Sequence, residues 1–195
     1  MAYASSQSEW GTVAKTLHWL MGILMICQLI MGWVFTFNII PGPTQNWLIM
    51  NGHVPMGITI LGLVAIRLLW RLSNVSPALP ANMVWWERLL ASGAQTSLYF
   101  GMIVLPLSGW IALNAFGAQI SWFLGVGLPS LAAVEAKETG RPLTVFFAQT
   151  HYWVAVVVSA AVLGHVAGAL RHHFGKKDDV LVRMAPQGWV DQPKG

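Results

Sequence analysis

The sequence predicts an all-α membrane protein: a bundle of four transmembrane helices forming one domain over residues 1–195. Two compositional observations and one positional observation predict this fold. Hydrophobic residues make up 55% of the chain and charged residues only 9%, where a soluble domain has about 25% charged residues. Mean hydropathy is +0.58. The few charged residues also leave three long uninterrupted runs. Together these properties exclude a soluble globular enzyme, a disordered chain and a nucleic-acid binder.

The runs without Asp, Glu, Lys or Arg locate the helices. They cover residues 16–66, 89–134 and 142–170. A spanning helix needs about 20 mostly apolar residues, so the first run has room for two helices. The Pro41-Gly42-Pro43 cluster separates them, because a helix interior does not accept it. We therefore expect spans near 15–38, 50–71, 88–113 and 146–172.

A further apolar stretch, residues 116–131, is interrupted by three glycines and a proline. We expect it to lie on the membrane surface within an outer loop, 114–145, and not to form a fifth span. Most Lys and Arg residues lie in the connection between spans two and three and after span four, which predicts that both termini are cytoplasmic. The expected cytoplasmic tail is 173–195, and the net charge of +4 is attributed to this topology.

Four histidines lie within the expected spans, where ionisable side chains are costly and usually functional. His151 and His165 are 14 residues apart on one helix. That separation corresponds to about 21 Å of axial rise, and the two side chains point within roughly 40° of each other. By depth, His18 pairs with His165 on the inner side of the membrane, and His53 pairs with His151 on the outer side.

Each pair comes from two different helices, which is how a helix bundle holds a flat ligand with two axial positions. Neutral imidazoles without a cysteine or acid nearby suit haem iron better than calcium or magnesium. A zinc site would lack two of its usual four ligands. The sequence therefore predicts a bundle that encloses two haems.

Four other residues near the inner side are candidates for binding roles. Arg67 follows His53 by 14 residues, so it reaches the depth of the inner haem, where it or Arg71 can pair with a haem propionate. The alternative is that these arginines extend to the lipid headgroups. His172 and His173 form a candidate quinone or proton site, or simply a basic helix end.

Short motifs along the chain resemble those of the bacterial cytochrome b561 family. The resemblance covers residues 10–186 and rests on the order and spacing of the motifs. They are Leu17-His18-Trp19, Asn51-Gly52-His53-Val54, Arg67-Leu68-Leu69, Leu105-Pro106-Leu107-Ser108-Gly109, Ser121-Trp122-Phe123, His151 with His165, His172-His173-Phe174 and the segment from Asp179 to Pro186. The resemblance implies a quinone-linked membrane cytochrome with two haem b groups, each held by two histidines.

This family includes a superoxide oxidase, which takes electrons from periplasmic superoxide and delivers them to ubiquinone. The chain resembles that member in size and in its four spans, which implies the same activity in the bacterial inner membrane, with no catalytic residue apart from the haems. Gln95 is a departure, because that member has a histidine there, and we assign no quinone role to this position. The basic residues expected outside, Lys137 and Arg141, are partly offset by two glutamates.

Two other functions remain open at this stage. The chain could be the cytochrome subunit that passes electrons between a hydrogenase or another periplasmic dehydrogenase and quinone, with its docking surface on the loop 114–145. It could also be a transporter that uses the histidines as proton or metal sites. The lack of Asp and Glu in the expected spans counts against the transporter.

Overall fold

The computed structural model describes residues 2–78 and 83–191, so Met1, residues 79–82 and the end of the expected tail, 192–195, lie outside the description. Within the described residues, four helical segments are long and apolar enough to cross a membrane. They are Thr12–Thr36, Pro43–Leu72, Trp85–Phe116 and Pro142–Lys176. The predicted all-α fold with four spans is confirmed, and the protein is a multi-pass membrane protein.

The second span is built from three helical pieces. Helix α1 (Thr12–Thr36) ends before the proline cluster, and α2 (Pro43–Leu48) follows from Gly42, whose φ of 77° suits glycine. A π-helical turn, Ile49–His53, then leads into α3 (Val54–Leu72). Pro55 has no N–H to offer the preceding turn, which explains why the regular α-helical hydrogen bonding is interrupted here. His53 therefore lies at the junction between the two helix types.

The third and fourth spans are single long helices. Helix α4 (Trp85–Phe116) contains Pro106 and ends at Gly117, which adopts the left-handed conformation with φ of 105°. Helix α5 (Pro142–Leu170) begins on a proline and continues as a π-helical turn, Arg171–Lys176. A short helix, α6 (Val180–Met184), follows it.

The helices pack closely at small residues and form a core in the middle of the bundle. A Cβ atom added to Gly101 would lie 2.2 Å from Cγ2 of Val158, so α4 and α5 could not approach so closely with a larger residue there. Apolar side chains from all four spans meet around this contact. The core residues are Met21, Met25, Ile60, Val64, Met102, Leu105 and Val158.

Both described ends of the chain gather at one end of the bundle, which we call the terminal end. The backbone N–H of Ala78, after α3, donates to the carbonyl of Gln7 at 3.2 Å. Arg183 Nη1 donates to the Ala78 carbonyl at 3.0 Å, and Trp19 Nε1 donates to the Met184 carbonyl at 2.9 Å. The opposite end, with the connections after α1 and α4, is the loop end.

Candidate functional site

The four span histidines face each other in two pairs. At the terminal end, the rings of His18 on α1 and His165 on α5 have centroids 6.0 Å apart. Toward the loop end, the rings of His53 and His151 have centroids 6.1 Å apart. These are the pairs expected from depth, and each joins side chains from two spans.

Both separations fit one metal ion between two imidazoles. A metal–imidazole bond of about 2 Å, with the ring centroid about 1 Å further on, places two opposed centroids about 6 Å apart. Among the described residues there is no cluster of three or more His, Cys, Asp or Glu side chains, which a closed zinc site would need. Two opposed imidazoles instead suit the axial positions of a haem.

His151 is held in one orientation by the motif at residues 105–109 of α4. Its Nδ1 atom lies 2.8 Å from the carbonyl oxygen of Leu105 and 3.3 Å from Oγ of Ser108. Because a carbonyl only accepts, His151 donates through Nδ1, and its Nε2 atom is left available as a ligand. Gly109 permits this approach, since a Cβ there would lie 3.2 Å from Nδ1 of His151.

His53 is supported mainly through its backbone. Gln28, buried in α1, donates from Nε2 to the His53 carbonyl at 2.9 Å. The Nδ1 atom of His53 is buried and has no hydrogen-bond partner within residues 2–78 and 83–191. Its ring meets Phe35 edge-on, with centroids 5.7 Å apart. The two loop-end histidines therefore differ in how firmly their side chains are fixed.

A cavity of about 340 Å³ adjoins the loop-end pair. It is lined by His53 and His151 and is almost entirely apolar otherwise. Small residues from several helices contribute to its wall and leave room for a flat ligand. They are Gly32, Gly57, Gly101, Gly109, Ala112, Ala148 and Ala155. The donor set and the space beside it both fit a haem.

Two arginines lie beside the terminal-end pair without a carboxylate partner among the described residues. Arg67 donates from Nε to the Tyr99 hydroxyl at 2.9 Å, and its Nη2 lies 3.5 Å from Nδ1 of His18. Arg71 donates from Nη2 to Oε1 of Gln95 at 3.3 Å. Both guanidinium groups therefore retain donors for an anionic group near this pair.

The two adjacent histidines at the end of the fourth span have different environments. His172 is buried, and its Nδ1 lies 2.5 Å from Oδ2 of Asp178. The ring of His173 packs on Phe174, and its Nδ1 is buried without a partner in the described part of the chain. Sequence reasoning missed Asp178, although an acid six residues after a histidine at a helix end was the available signal.

A buried carboxylate, Glu87, joins the start of α4 to the π-helical turn after α5. Its side chain is 4% exposed and accepts hydrogen bonds from Arg171, at 2.5 Å, and from Lys176. The expectation that the third span lacks acids was wrong, because α4 begins at Trp85 and not near residue 88. This contact fixes the chain segment that carries His172.

At the loop end, Glu135 and Arg141, two of the four charged residues expected outside, lie at the start of α5. The carboxylate of Glu135 accepts hydrogen bonds from the backbone N–H groups of Leu143 and Thr144 at 2.8 and 2.7 Å. Desolvation raises the pKa of Glu135, but these hydrogen bonds outweigh it and hold that pKa below its usual value. The Arg141 guanidinium lies 4.4 Å from the ring centroid of Phe116.

Comparison with known proteins identifies the family. The family model described as prokaryotic cytochrome b561 matches residues 9–187. The chain belongs to the prokaryotic cytochrome b561 family. Membership supports electron transfer as the activity and haem b as the cofactor.

Curated relatives of this cytochrome cover nearly its whole length. Cytochrome b561 homolog 2 of Escherichia coli K12 is 27% identical over 94% of this chain and 95% of its own. Cytochrome b561 homolog 1 of the same strain is 26% identical over 88% of this chain and 93% of its own length. A protein named probable superoxide oxidase CybB, from Yersinia pestis, is 28% identical over 88% of this chain and 92% of its own length.

Proposed function

We propose that this cytochrome binds two haem b groups and moves electrons across the bacterial inner membrane, from periplasmic superoxide to ubiquinone. The observation that carries the proposal is the pair of facing histidine couples, with centroids 6.0 and 6.1 Å apart. In this proposal, His18 and His165 would hold the inner haem, and His53 and His151 would hold the outer haem. The terminal end, with both termini, faces the cytoplasm.

Haem supplies one-electron chemistry when it is bound. The protein supplies the geometry and the electrostatics. The Leu105 carbonyl orients His151, and Arg67 and Arg71 would pair with the carboxylates of the inner haem. His172 binds ubiquinone at the cytoplasmic end, and Asp178 holds its imidazole in one orientation. His173, with its unpartnered Nδ1, is the second candidate for contacting the quinone.

Superoxide as electron donor is supported by similarity to the relative named probable superoxide oxidase CybB. Oxidation of two superoxide anions to dioxygen releases two electrons, which reduce one ubiquinone to ubiquinol with two cytoplasmic protons. Lys137 and Arg141 attract the anion to the loop end. The ionised carboxylate of Glu135, which accepts hydrogen bonds from the first turn of α5, partly offsets this attraction.

Paired histidine substitutions test the haem assignment. We expect His53→Ala to remove only the outer haem and His165→Ala to remove only the inner haem, because each changes one pair. Haem content and the low-spin ferric signals in electron paramagnetic resonance report the two sites separately. Retention of two intact bis-histidine haems in either variant would falsify the pairing, and a colourless wild-type protein would return the histidines to a transporter role.

A superoxide pulse tests the donor. We expect the oxidised protein in detergent to show rapid reduction of its haem bands, and we expect the bands to relax when ubiquinone is present. If the haems stay oxidised after the pulse, the donor is not superoxide. The chain is then better explained as the cytochrome subunit of a periplasmic dehydrogenase or hydrogenase.

A further inference from the structure

The connection between α4 and α5 contains a short hairpin, residues 120–128, that folds back along the bundle. Ser121 and Gly127 form an antiparallel β-bridge. The N–H of Leu128 donates to the Ile120 carbonyl at 3.1 Å, and that of Trp122 to the Val126 carbonyl at 2.7 Å. The segment is therefore an ordered hairpin with a defined tip.

Two hydrogen bonds give the depth of this hairpin. Trp122 Nε1 donates to Oγ1 of Thr59, which is six residues, or about 9 Å, further into the span than His53. Trp110 Nε1 donates to the carbonyl of Pro129, the residue that directly follows the hairpin, at 3.1 Å. Trp110 lies six residues, again about 9 Å, before the end of α4. The hairpin thus lies beside the helices at the level of the loop-end histidine pair.

The two sides of the hairpin have opposite environments. Ile120 is 1% exposed and lines the cavity beside His53 and His151. At the tip, Leu124 is fully exposed and Val126 is 53% exposed. No charged residue occurs anywhere in 89–134, so the exposed side of the hairpin continues the apolar surface of the spans.

The residue at the tip is itself unusual for a turn in water. Leu124 and Gly125 have positive φ angles of 62° and 76°. Consecutive positive φ angles are characteristic of hairpin turns in which Asn, Asp or Gly is usual. A leucine in this conformation carries a backbone cost without a polar side chain that could bond locally. An apolar environment around the tip accounts for this choice of residue.

We infer that the hairpin 120–128 is inserted in the acyl-chain layer of the membrane, where it forms a lateral wall between lipid and the loop-end cavity. The occupant of its exposed face is lipid acyl chain, because the hydrogen bonds of Trp122 and Pro129 fix it at membrane depth beside the loop-end parts of α3 and α4, which carry no charged residue. This position is deeper than the membrane surface, where we expect the stretch from its sequence alone. The role as a haem wall rests on the proposed function, but the insertion itself does not.

Site-specific cysteine labelling tests the insertion. The single native thiol is removed by Cys27→Ala, and Leu124→Cys, Lys137→Cys and Ile30→Cys are made separately in that background. Lys137 lies in the same loop and carries a charge, whereas Ile30 is an exposed residue within α1. Each variant is placed in nanodiscs containing one copy, so that a second copy cannot cover the tip. A charged maleimide is then added, and modification is followed by mass spectrometry.

We expect the thiol at position 124 to react at least about ten times more slowly than that at 137, and about as slowly as that at 30. Complete labelling of all three in sodium dodecyl sulfate shows that each thiol is reactive. Labelling at 124 as fast as at 137 overturns the insertion, because the tip then lies in water, where it is available to a partner protein. Haem content is measured on the same samples, so failure of haem binding is recorded separately from failure of insertion.

Discussion

The Nδ1 atom of His151 lies 2.8 Å from the carbonyl oxygen of Leu105, the residue before the proline in α4. Ser108 shares this acceptor, donating from Oγ to the same carbonyl at 3.0 Å. One carbonyl therefore serves two side-chain donors, one of which is a proposed haem ligand. The strength of the histidine hydrogen bond depends on this competition, and the basicity of the ligand depends on the strength of that bond.

The first prediction concerns Ser108→Ala. Without the hydroxyl, His151 is the remaining side-chain donor to the Leu105 carbonyl, so the imidazole becomes a more basic ligand and stabilises ferric iron. We expect the midpoint potential of the outer haem to fall while that of the inner haem is unchanged, as measured by redox titration with optical detection. An equal shift of both haems, or a rise in the outer one, would contradict the role given to this hydrogen bond.

The main features of the site could be predicted from the sequence because they follow from helix geometry. The 14-residue spacing of His151 and His165 fixes their separation and common face in any regular helix. The start of the first charge-free run places His18 at the depth of His165, and the proline cluster that divides this run places His53 at the depth of His151. Neither inference needs a side-chain conformation, which is why both pairs are present in the structure as expected.

The contacts of His172 and Glu87 could not be predicted in the same way. Asp178 reaches His172 because the fourth span ends in a π-helical turn and Lys177 then adopts the left-handed conformation, with φ of 55°. Glu87 enters the bundle because α4 starts a few residues earlier than the charge-free run. Both depend on how a helix begins or ends, which composition and periodicity define only to within a few residues.

The second prediction concerns Arg67→Leu. The Arg67 guanidinium lies 3.5 Å from Nδ1 of His18, so its positive charge favours the reduced form of a haem bound there. We expect the inner haem potential to fall, on the order of tens of millivolts at an effective dielectric constant near 20. The outer haem potential should be unaffected, as determined by the same titration.

Lys177→Gln is the matched control, because it removes one positive charge from the same end of the bundle at an exposed position. A comparable shift in that variant would attribute the effect to overall charge. A shift of both haems in Arg67→Leu would rule out a specific contact with the inner haem.

The third prediction concerns proton delivery to quinone. Asp178→Asn removes the carboxylate that accepts from Nδ1 of His172, so the imidazole is no longer held as a proton donor. We expect reoxidation of the reduced haems by ubiquinone to slow by at least about ten-fold, with an altered pH profile, since general acid catalysis contributes about 100-fold or more. Stopped-flow spectroscopy over a range of pH measures this rate.

Asp179→Asn serves as the control for this experiment. Asp179 is adjacent in sequence, but its side chain is 55% exposed and faces Arg183 at 4.0 Å. If both variants reoxidise at the same rate, Asp178 has no part in quinone reduction. Normal haem reduction by superoxide in Asp178→Asn would show that only the quinone side is affected.

The fourth prediction uses the lowered pKa of Glu135. Hydrogen bonds from Leu143 and Thr144 stabilise the ionised carboxylate in the folded protein, so its contribution to stability is complete above the usual Glu pKa of about 4.3. It is lost as the pH falls through the lower pKa of the folded state. We expect Glu135→Gln to lower the thermal midpoint at pH 7, and the difference from wild type to shrink as the pH falls below about 4.3. Glu138→Gln, at an exposed position in the same loop, controls for loss of charge, and a pH-independent difference for Glu135→Gln would exclude the capping interaction as its cause.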